Sequence, residues 1–255
     1  MIDPSSASGL ASDGQRQTQQ AAKEKIRLVC ATRLSSEEFF ASAPLGRSLP
    51  FYRSFPRGQW IELRLFPNNT TGLPDLYNTA IEESATDPAV LVFVHDDVYL
   101  SDFYWAQHIL EGLNFFDIVG LAGNRRRAPA QASWMYLDES FRRDRDENLS
   151  GVLGHGNGFP DLIELSVYGP ARQAVQLLDG VLMAVRSQAL VGSMLRFDPR
   201  FRFHFYDMDF CRQAEERKLR MGTWTVSVVH GSAGRLGGDE WQANYREYLR
   251  KYKEL

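Results

Sequence analysis

The sequence predicts an α/β fold in which helices flank a mostly parallel central sheet. Short apolar runs suited to buried strands alternate along the chain with segments of helical spacing. The 255 residues and 44% hydrophobic content suit one large domain, and sixteen Phe, ten Tyr and five Trp can form its core. Repeated strand–helix alternation implies right-handed crossovers, so we expect ligands beyond the carboxyl ends of the strands.

The first half of the chain supplies the clearest elements. Residues 26–31 (IRLVCA) form an apolar run typical of a buried strand, and residues 35–42 form a short helix capped by one of its first two serines. Residues 60–66 (WIELRLF) alternate as a second strand. The turn sequence PNNTTG precedes a helix over residues 73–84, and the β-branched run at residues 89–94 predicts another buried strand.

The middle of the chain changes character. Apolar spacing predicts a helix over residues 102–112 and a strand over residues 117–121. Residues 122–170 are rich in Gly and Arg and show little periodicity, so we expect a long excursion of loops over the sheet edge.

Regular patterns return in the last third. Residues 177–185 (LLDGVLMAV) and 223–229 (TWTVSVV) predict two strands. Residues 206–218 predict a helix with a charged outer face, and residues 240–253 an amphipathic C-terminal helix. We expect a single domain over residues 25–255, because residues 1–24 are small and polar and predict a flexible tail.

Composition restricts the class of protein. The formal net charge of −3 argues against a broad nucleic-acid surface. No apolar run of about 18 residues and no signal-peptide pattern is present, so we expect no membrane span. Cys30 and Cys211 both lie in apolar stretches, which favours buried free thiols and a cytoplasmic location.

The triplet His95-Asp96-Asp97 directly follows the predicted strand at residues 89–94. Adjacent carboxylates are costly to hold together without a cation or hydrogen bonds. Mg²⁺ or Mn²⁺, together with diphosphate oxygens, would compensate their charge. A solvated turn containing two acids explains the triplet equally well.

Two further motifs carry candidate chemistry. Asp207 and Asp209 open a predicted helix beside the aromatic segment FRFHFY, where a carboxylate can act as a general base. Acids in a first helical turn also simply stabilise the helix dipole. His230 ends a predicted strand before a glycine-containing loop, which suits a metal ligand but also a structural histidine.

Taken in order, these motifs resemble those of the family 2 glycosyltransferases and related GT-A enzymes, closest to a bacterial branch of glycosyltransferase-like proteins. The segments that carry the resemblance are LPDLYNTAIE (73–82), VFVHDDVYL (92–100), IVGLAGNRR (118–126), LLDGVLMAVRS (177–187), FDPRFRFHFYDMDFCRQA (197–214) and VVHGSAG (228–234). The resemblance implies a GT-A-type α/β fold whose loop-rich excursion lies on the acceptor side.

The resemblance also implies a metal-assisted donor site. His95-Asp96-Asp97 stands in place of the family's DxD motif, with His in the first position. Asp96 and Asp97 then bind the donor diphosphate, and Asp97 and His230 hold Mn²⁺ or Mg²⁺.

On the donor side, Thr32 and Arg33 end the first strand, where a base and ribose commonly lie in such enzymes. Asn68 follows the second strand, where many relatives use an acid. Gly72 and Asn78 match a loop and helix start that pack against the nucleotide. Ordinary turn chemistry explains Asn68 and Gly72 as well.

On the acceptor side, Asp207 takes the position of the catalytic base, with Tyr-Asp where the family usually has Glu-Asp, and Asp209 is a close competitor. Asp179 matches a position that lines the acceptor, although a strand bulge with a capping acid explains it equally well. Trp134 is a candidate for stacking on a sugar, with a packing anchor as the alternative.

The implied function is inverting transfer of a sugar from a nucleotide-sugar donor to a hydroxyl of a glycan, lipid-linked or protein acceptor. The alternative is a non-catalytic module that binds a nucleotide sugar or glycan on the same fold. Nucleotidyl transfer would require a glycine-rich, lysine-bearing loop after the first strand, and the sequence CATRLSSEE lacks one.

Overall fold

The computed structural model describes the chain in four stretches, namely residues 24–52, 61–157, 161–232 and 236–254. The predicted tail before Glu24, the strand residue Trp60 and the loop residues Ala233 and Gly234 lie outside the described residues.

Helices and strands alternate along the described residues. The helices are α1 (Ser36–Ser42), α2 (Pro44–Ser48), α3 (Leu73–Glu83), α4 (Trp105–Gly112), α5 (Ser187–Ser193), α6 (Tyr206–Glu216) and α7 (Asp239–Tyr252). The strands are β1 (Ile26–Ala31), β2 (Ile61–Phe66), β3 (Val90–Val94), β4 (Val98–Leu100), β5 (Ile118–Gly120), β6 (Ala122–Asn124), β7 (Leu149–Gly156), β8 (Leu162–Gly169), β9 (Ala174–Val175), β10 (Leu177–Leu178), β11 (Leu182–Arg186), β12 (Met221–Thr223) and β13 (Val228–His230). Every predicted helix is confirmed to within a few residues, and Ser35 caps α1 through a capping box with Glu38.

The larger sheet confirms the predicted mostly parallel α/β class. Within the described residues its strand order is β2-β1-β3-β11-β5-β12-β9. Strand β1 is parallel to β2 and β3, and β5 is parallel to β12, whereas β11 is antiparallel to both β3 and β5. Among the described strands of this sheet, five therefore run in one direction, and β9 and β11 run in the other.

A second sheet crosses the carboxyl ends of these strands. Its order in the described chain is β10-β6-β7-β13-β4, with β8 paired to β7. The single strands predicted at residues 177–185 and 223–229 are wrong, because each segment leaves one sheet and enters the other. Both parts of each segment are buried, so the apolar pattern continues through the change of sheet and conceals it.

The segment at residues 122–170 is only partly the loop excursion that was predicted. Between β6 and β7 it is irregular apart from a short 3₁₀ turn at Asp146–Asn148. Residues 149–169, however, contain the antiparallel hairpin of β7 and β8. The sequence of β7, LSGVLGHG, is interrupted by three glycines, which weakens the alternation that identifies a strand.

An aromatic layer joins α3 and α6 to the central strand β3. Tyr77 lies 4.8 Å from Phe93, and Phe197 stacks on Phe210 at 4.2 Å, as measured between ring centroids. All four side chains are essentially inaccessible. Burial of each such ring contributes roughly 1.5–3 kcal/mol, so the start of α6 is held firmly against the end of β3.

The structure also bears on the predictions for the two cysteines and for a membrane span. Cys30 and Cys211 are buried free thiols, as predicted. Within the described parts of the chain, every helix is too short or too polar to span a lipid bilayer.

Candidate functional site

The site lies where β3, β4 and β13 come together. His95, Asp96 and Asp97 form the turn between β3 and β4, and His230 ends β13 opposite Val98. The backbone N–H of Gly231 donates to the carbonyl oxygen of Asp97 over 2.8 Å, which ties this turn to the end of β13. The predicted convergence of Asp97 and His230 is therefore present in the structure.

Three side chains present ligand atoms to one small volume. Oδ1 of Asp97 lies 3.3 Å from Nε2 of His230 and 3.9 Å from Nδ1 of His95. One ligand atom from each of the three residues lies within 4.8 Å of the others. Such an arrangement of two imidazoles and a carboxylate can hold a divalent cation.

Oδ1 of Asp97 shows that these residues fit a cation. The atom is buried, and among the described residues no donor makes a well-directed hydrogen bond to it. A buried carboxylate oxygen without such a bond is costly unless a positive charge compensates it. A metal ion coordinated by this oxygen would supply that charge.

The protonation states also suit a metal centre. Burial alone would raise the pKa of Asp97, but the contact with His230 outweighs it and lowers the pKa to about 2. Burial lowers the pKa of His95, which favours the neutral imidazole. For His230 burial also lowers the pKa, but the hydrogen bond and charge of Asp97 outweigh it and raise the pKa, so metal affinity should fall at acidic pH.

His95 is a candidate ligand that the sequence does not single out, because it stands in place of an acid in the DxD-like motif. Asp96, in contrast, does not join the cluster. Its carboxylate accepts a 2.6 Å hydrogen bond from the hydroxyl of Thr32. Two adjacent acids therefore face different partners, and only Asp97 lies with the two histidines.

Asp207 lies beside the cluster at the start of α6. Its carboxylate accepts hydrogen bonds from the backbone N–H groups of Gly180 (3.1 Å) and Met208 (2.8 Å). Burial raises the pKa of Asp207 to about 7, and the charge of Asp179 acts in the same direction. A carboxylate with a pKa near neutrality is suited to general-base catalysis.

A chain of contacts joins Asp207 to the histidines. The hydroxyl of Tyr206 donates to the carbonyl oxygen of Gly180 over 2.9 Å and lies 2.7 Å from Nε2 of His95. Asp207 binds the N–H of the same Gly180. Tyr206 is a second residue of the site that the sequence did not identify, since its partners are distant in the chain.

The structure contradicts the expectation for Asp209. This residue is fully inaccessible, and its carboxylate accepts hydrogen bonds from Gln213 and Tyr252, both of 2.7 Å, and from Lys251. Gln213 lies one turn further along α6, and Lys251 and Tyr252 tie the carboxylate to α7. Asp209 is therefore a buried structural acid and neither an acceptor contact nor a competing base.

The other two residues predicted on the acceptor side differ from each other. Asp179 is half-buried in the crossing between β10 and β11, where its carboxylate accepts a 3.0 Å hydrogen bond from the N–H of Val181. Trp134 is only 6% exposed and packs edge-to-face on Tyr168 at 4.8 Å. The prediction that Trp134 stacks on a sugar is wrong, because its ring is used in packing.

On the donor side, the structure brings Thr32, Arg33 and Asn68 together after the adjacent parallel strands β1 and β2. The N–H of Asn68 donates to the carbonyl of Leu34, and the N–H of Asn69 donates to that of Thr32. Arg33 and Asn68 are exposed at this edge. Through its bond to Asp96, Thr32 links the edge to the acidic turn.

Gly72 and Asn78 have packing roles instead. A Cβ atom on Gly72 would lie 3.0 Å from Cα of Arg202, so glycine allows a close approach of two backbones. The side chain of Asn78 donates to the carbonyl of Phe197 over 2.8 Å and accepts from its N–H over 3.0 Å. The prediction that Asn78 faces the nucleotide is therefore corrected, since its amide ties α3 to the loop before α6.

Comparisons with known proteins agree with the resemblance seen in the sequence. The profile described as "Glycosyltransferase like family" matches residues 56–252, which is most of the chain. A search of curated proteins gave no match. The family match and the sheet described above confirm the predicted GT-A-type α/β fold class.

Similar solved structures share little sequence with this chain. They include the catalytic domain of Drosophila β1,4-galactosyltransferase 7 in complex with xylobiose, at 10% identity and a TM-score of 0.47, with 88% of this chain and 79% of that one covered. Residues 1–349 of S. aureus TarS match at 12% identity and a TM-score of 0.45, covering 82% and 60%. A197 from STIV matches at 10% identity and a TM-score of 0.44, covering 84% and 99%.

Proposed function

The chain belongs to the glycosyltransferase-like family, and from this premise we propose that it transfers a sugar from a nucleotide-sugar donor to an acceptor hydroxyl. The proposal includes inversion at the anomeric carbon and assistance by a divalent cation. The observation that carries it is the convergence of His95, Asp97 and His230 beside a carboxylate whose pKa is about 7.

The cluster of His95, Asp97 and His230 would hold a divalent cation next to the diphosphate leaving group. When bound there, a divalent cation supplies charge neutralisation for the departing nucleoside diphosphate. The ligands are two imidazoles and one carboxylate. Because Mg²⁺ prefers oxygen ligands and strict octahedral geometry, this set favours Mn²⁺ over Mg²⁺.

The remaining residues divide between donor and acceptor. Thr32 orients Asp96, and Arg33 and Asn68 offer exposed polar groups to the nucleotide at the ends of β1 and β2. Asp207 accepts the proton of the acceptor hydroxyl as that oxygen attacks the anomeric carbon.

An exposed aromatic ring lies next to His95. Phe203 is 47% exposed and lies nearly parallel to the ring of His95, with 6.4 Å between the centroids. We propose that it takes the sugar-stacking role that was predicted for Trp134.

The test is a panel of nucleotide sugars with Mn²⁺, with Mg²⁺ and without metal, read by thermal shift and by release of nucleoside diphosphate. At a concentration of about 100 times Kd, a donor stabilises the folded state by about 2.7 kcal/mol. We expect such a shift for one donor with Mn²⁺, together with diphosphate release and an inverted anomer in the product.

Two outcomes would count against the proposal. Donor binding without release on any acceptor would favour the non-catalytic binding module. Absence of a shift with every nucleotide sugar would contradict a donor site altogether.

A further inference from the structure

The hydroxyl of Tyr206 lies between a ring nitrogen and a backbone carbonyl. Nε2 of His95 is 2.7 Å from the hydroxyl, and the carbonyl oxygen of Gly180 is 2.9 Å from it. A phenol carries one hydrogen, and a carbonyl oxygen can only accept. The hydrogen of Tyr206 is therefore committed to Gly180, and the hydrogen in the other contact must come from His95.

This direction determines the form of the imidazole. A neutral imidazole carries one hydrogen, so a hydrogen on Nε2 leaves the lone pair on Nδ1. Nδ1 is the atom that faces Oδ1 of Asp97 at 3.9 Å. We propose that Tyr206 is a positioning residue that holds His95 as the Nε2–H tautomer and thereby presents Nδ1 as a metal ligand.

The surroundings leave Tyr206 little freedom. It is 3% exposed, and its ring packs on Tyr77 and Phe197 with 6.1 Å between the centroids in each case. On the other side, a Cβ atom at Gly180 would lie 2.2 Å from the hydroxyl oxygen, so this oxygen occupies the space of a missing side chain. The contact with His95 is therefore built into the packing.

The inference rests on the proposed metal centre, but its first test needs no metal. Long-range ¹H–¹⁵N spectra of the metal-free protein, with His95 assigned through the His95→Asn spectrum, report which ring nitrogen carries the hydrogen. We expect the Nε2–H form in the wild type and a shift towards Nδ1–H in Tyr206→Phe. An Nδ1–H form in the wild type would overturn the inference, whether or not any variant folds.

Tyr77→Phe is the matched control. It also removes one buried hydroxyl from the aromatic layer, but the hydroxyl of Tyr77 has no hydrogen-bond partner among the described residues. The tautomer of His95 should therefore stay as in the wild type. A loss of Nε2–H character in both variants would assign the effect to general loosening of the packing and would contradict a specific role for Tyr206.

The second test measures Mn²⁺ affinity by calorimetry. Loss of a hydrogen bond that orients a metal-binding histidine typically costs about 10–100-fold in affinity. We expect this loss for folded Tyr206→Phe and not for Tyr77→Phe. Equal affinity in Tyr206→Phe and the wild type would refute the role of Tyr206, whereas absence of Mn²⁺ binding in the wild type would refute the metal centre itself.

Discussion

Asp97 and Asp209 each carry a buried carboxylate oxygen, but Asp97 is half-buried as a residue, whereas Asp209 is fully buried and has more hydrogen-bond donors. Asp209 accepts hydrogen bonds from Gln213, Lys251 and Tyr252, which use both of its oxygens. Oδ1 of Asp97 lies near ring nitrogens of His95 and His230 and receives no well-directed hydrogen bond from the described residues. A carboxylate removed from water needs compensating charge or hydrogen bonds in either place.

The difference teaches how to separate a structural acid from a functional one. Burial is greater at Asp209, so burial alone would select the wrong residue. The missing hydrogen bond to a buried carboxylate oxygen selects Asp97, because a bound cation can contact that oxygen in place of a donor. The predictions below test this contrast, together with the contrast between Asp207 and Asp209 on α6.

The largest expected effect is on turnover. Asp207→Asn should lower kcat by about 10²–10⁴-fold, because the substituted group cannot accept a proton from the acceptor. Donor binding with Mn²⁺ should remain close to that of the wild type. Initial rates and donor calorimetry would measure both quantities. Asp209→Asn is the control, and its rate per folded molecule should stay near the wild-type rate. An equal loss of kcat in both variants would contradict the distinction between Asp207 as a base and Asp209 as a structural acid.

The free energy of unfolding should depend more on Asp209 than on Asp97. Asp209→Ala removes the acceptor of hydrogen bonds from Gln213, Tyr252 and Lys251, of which only Lys251 keeps a second acid, Asp198 at 2.7 Å. Each donor left unsatisfied costs about 1–3 kcal/mol of unfolding free energy. Urea denaturation of the metal-free protein would measure it. Asp97→Ala should cost less, because its carboxylate is only half-buried and its Oδ1 receives no well-directed hydrogen bond from the described residues. Similar losses in the two variants would show that compensation does not distinguish these acids.

Metal affinity should depend on Asp97 and not on its neighbour. Asp97→Ala should weaken Mn²⁺ binding by at least the roughly 100-fold that can follow from disturbing a ligand's support. Asp96→Ala should change the affinity for Mn²⁺ alone only slightly, since this carboxylate binds Thr32. Calorimetric titration of both variants checks this, and an unchanged titration in Asp97→Ala would remove Asp97 from the metal site.

The smallest effect is a shift in pH dependence. Asp207 must be ionised to act as a base, and its pKa is raised to about 7. Activity should therefore be present above pH 7 and be lost as the pH falls through that value, with kcat/KM decreasing about tenfold per unit below it. Asp179→Asn removes a charge that raises the pKa of Asp207, so its acidic limb should move to lower pH. An acidic limb that is unchanged in Asp179→Asn would contradict this coupling.

Much of the fold could be predicted because local patterns report it. The apolar runs of β1 and β3 and the cap of α1 are properties of neighbouring residues. The change of sheet after β10 and after β12 cannot be read from neighbouring residues, since buried residues on both sides continue the same apolar pattern. Which sheet a strand joins depends on partners far away in the chain.

The candidate site divides in the same way. Asp97, Asp207 and His230 could be found from their places at strand ends and a helix start. The structural role of Asp209 could not, because Lys251 lies 42 residues further along the chain. His95 and Tyr206 each replace an acid of the family's pattern, and they lie 111 residues apart in the chain. Their contact is therefore visible in the structure but not in the sequence.

The backbone of Gly180 has a consequence for how such a protein can diversify. Its N–H binds Asp207 and its carbonyl binds Tyr206, which contacts His95, at the point where the chain passes from β10 to β11. The backbone of one residue therefore sets the spacing between the Asp207 carboxylate and the hydroxyl that contacts His95. Surrounding loops can be exchanged while that spacing stays the same.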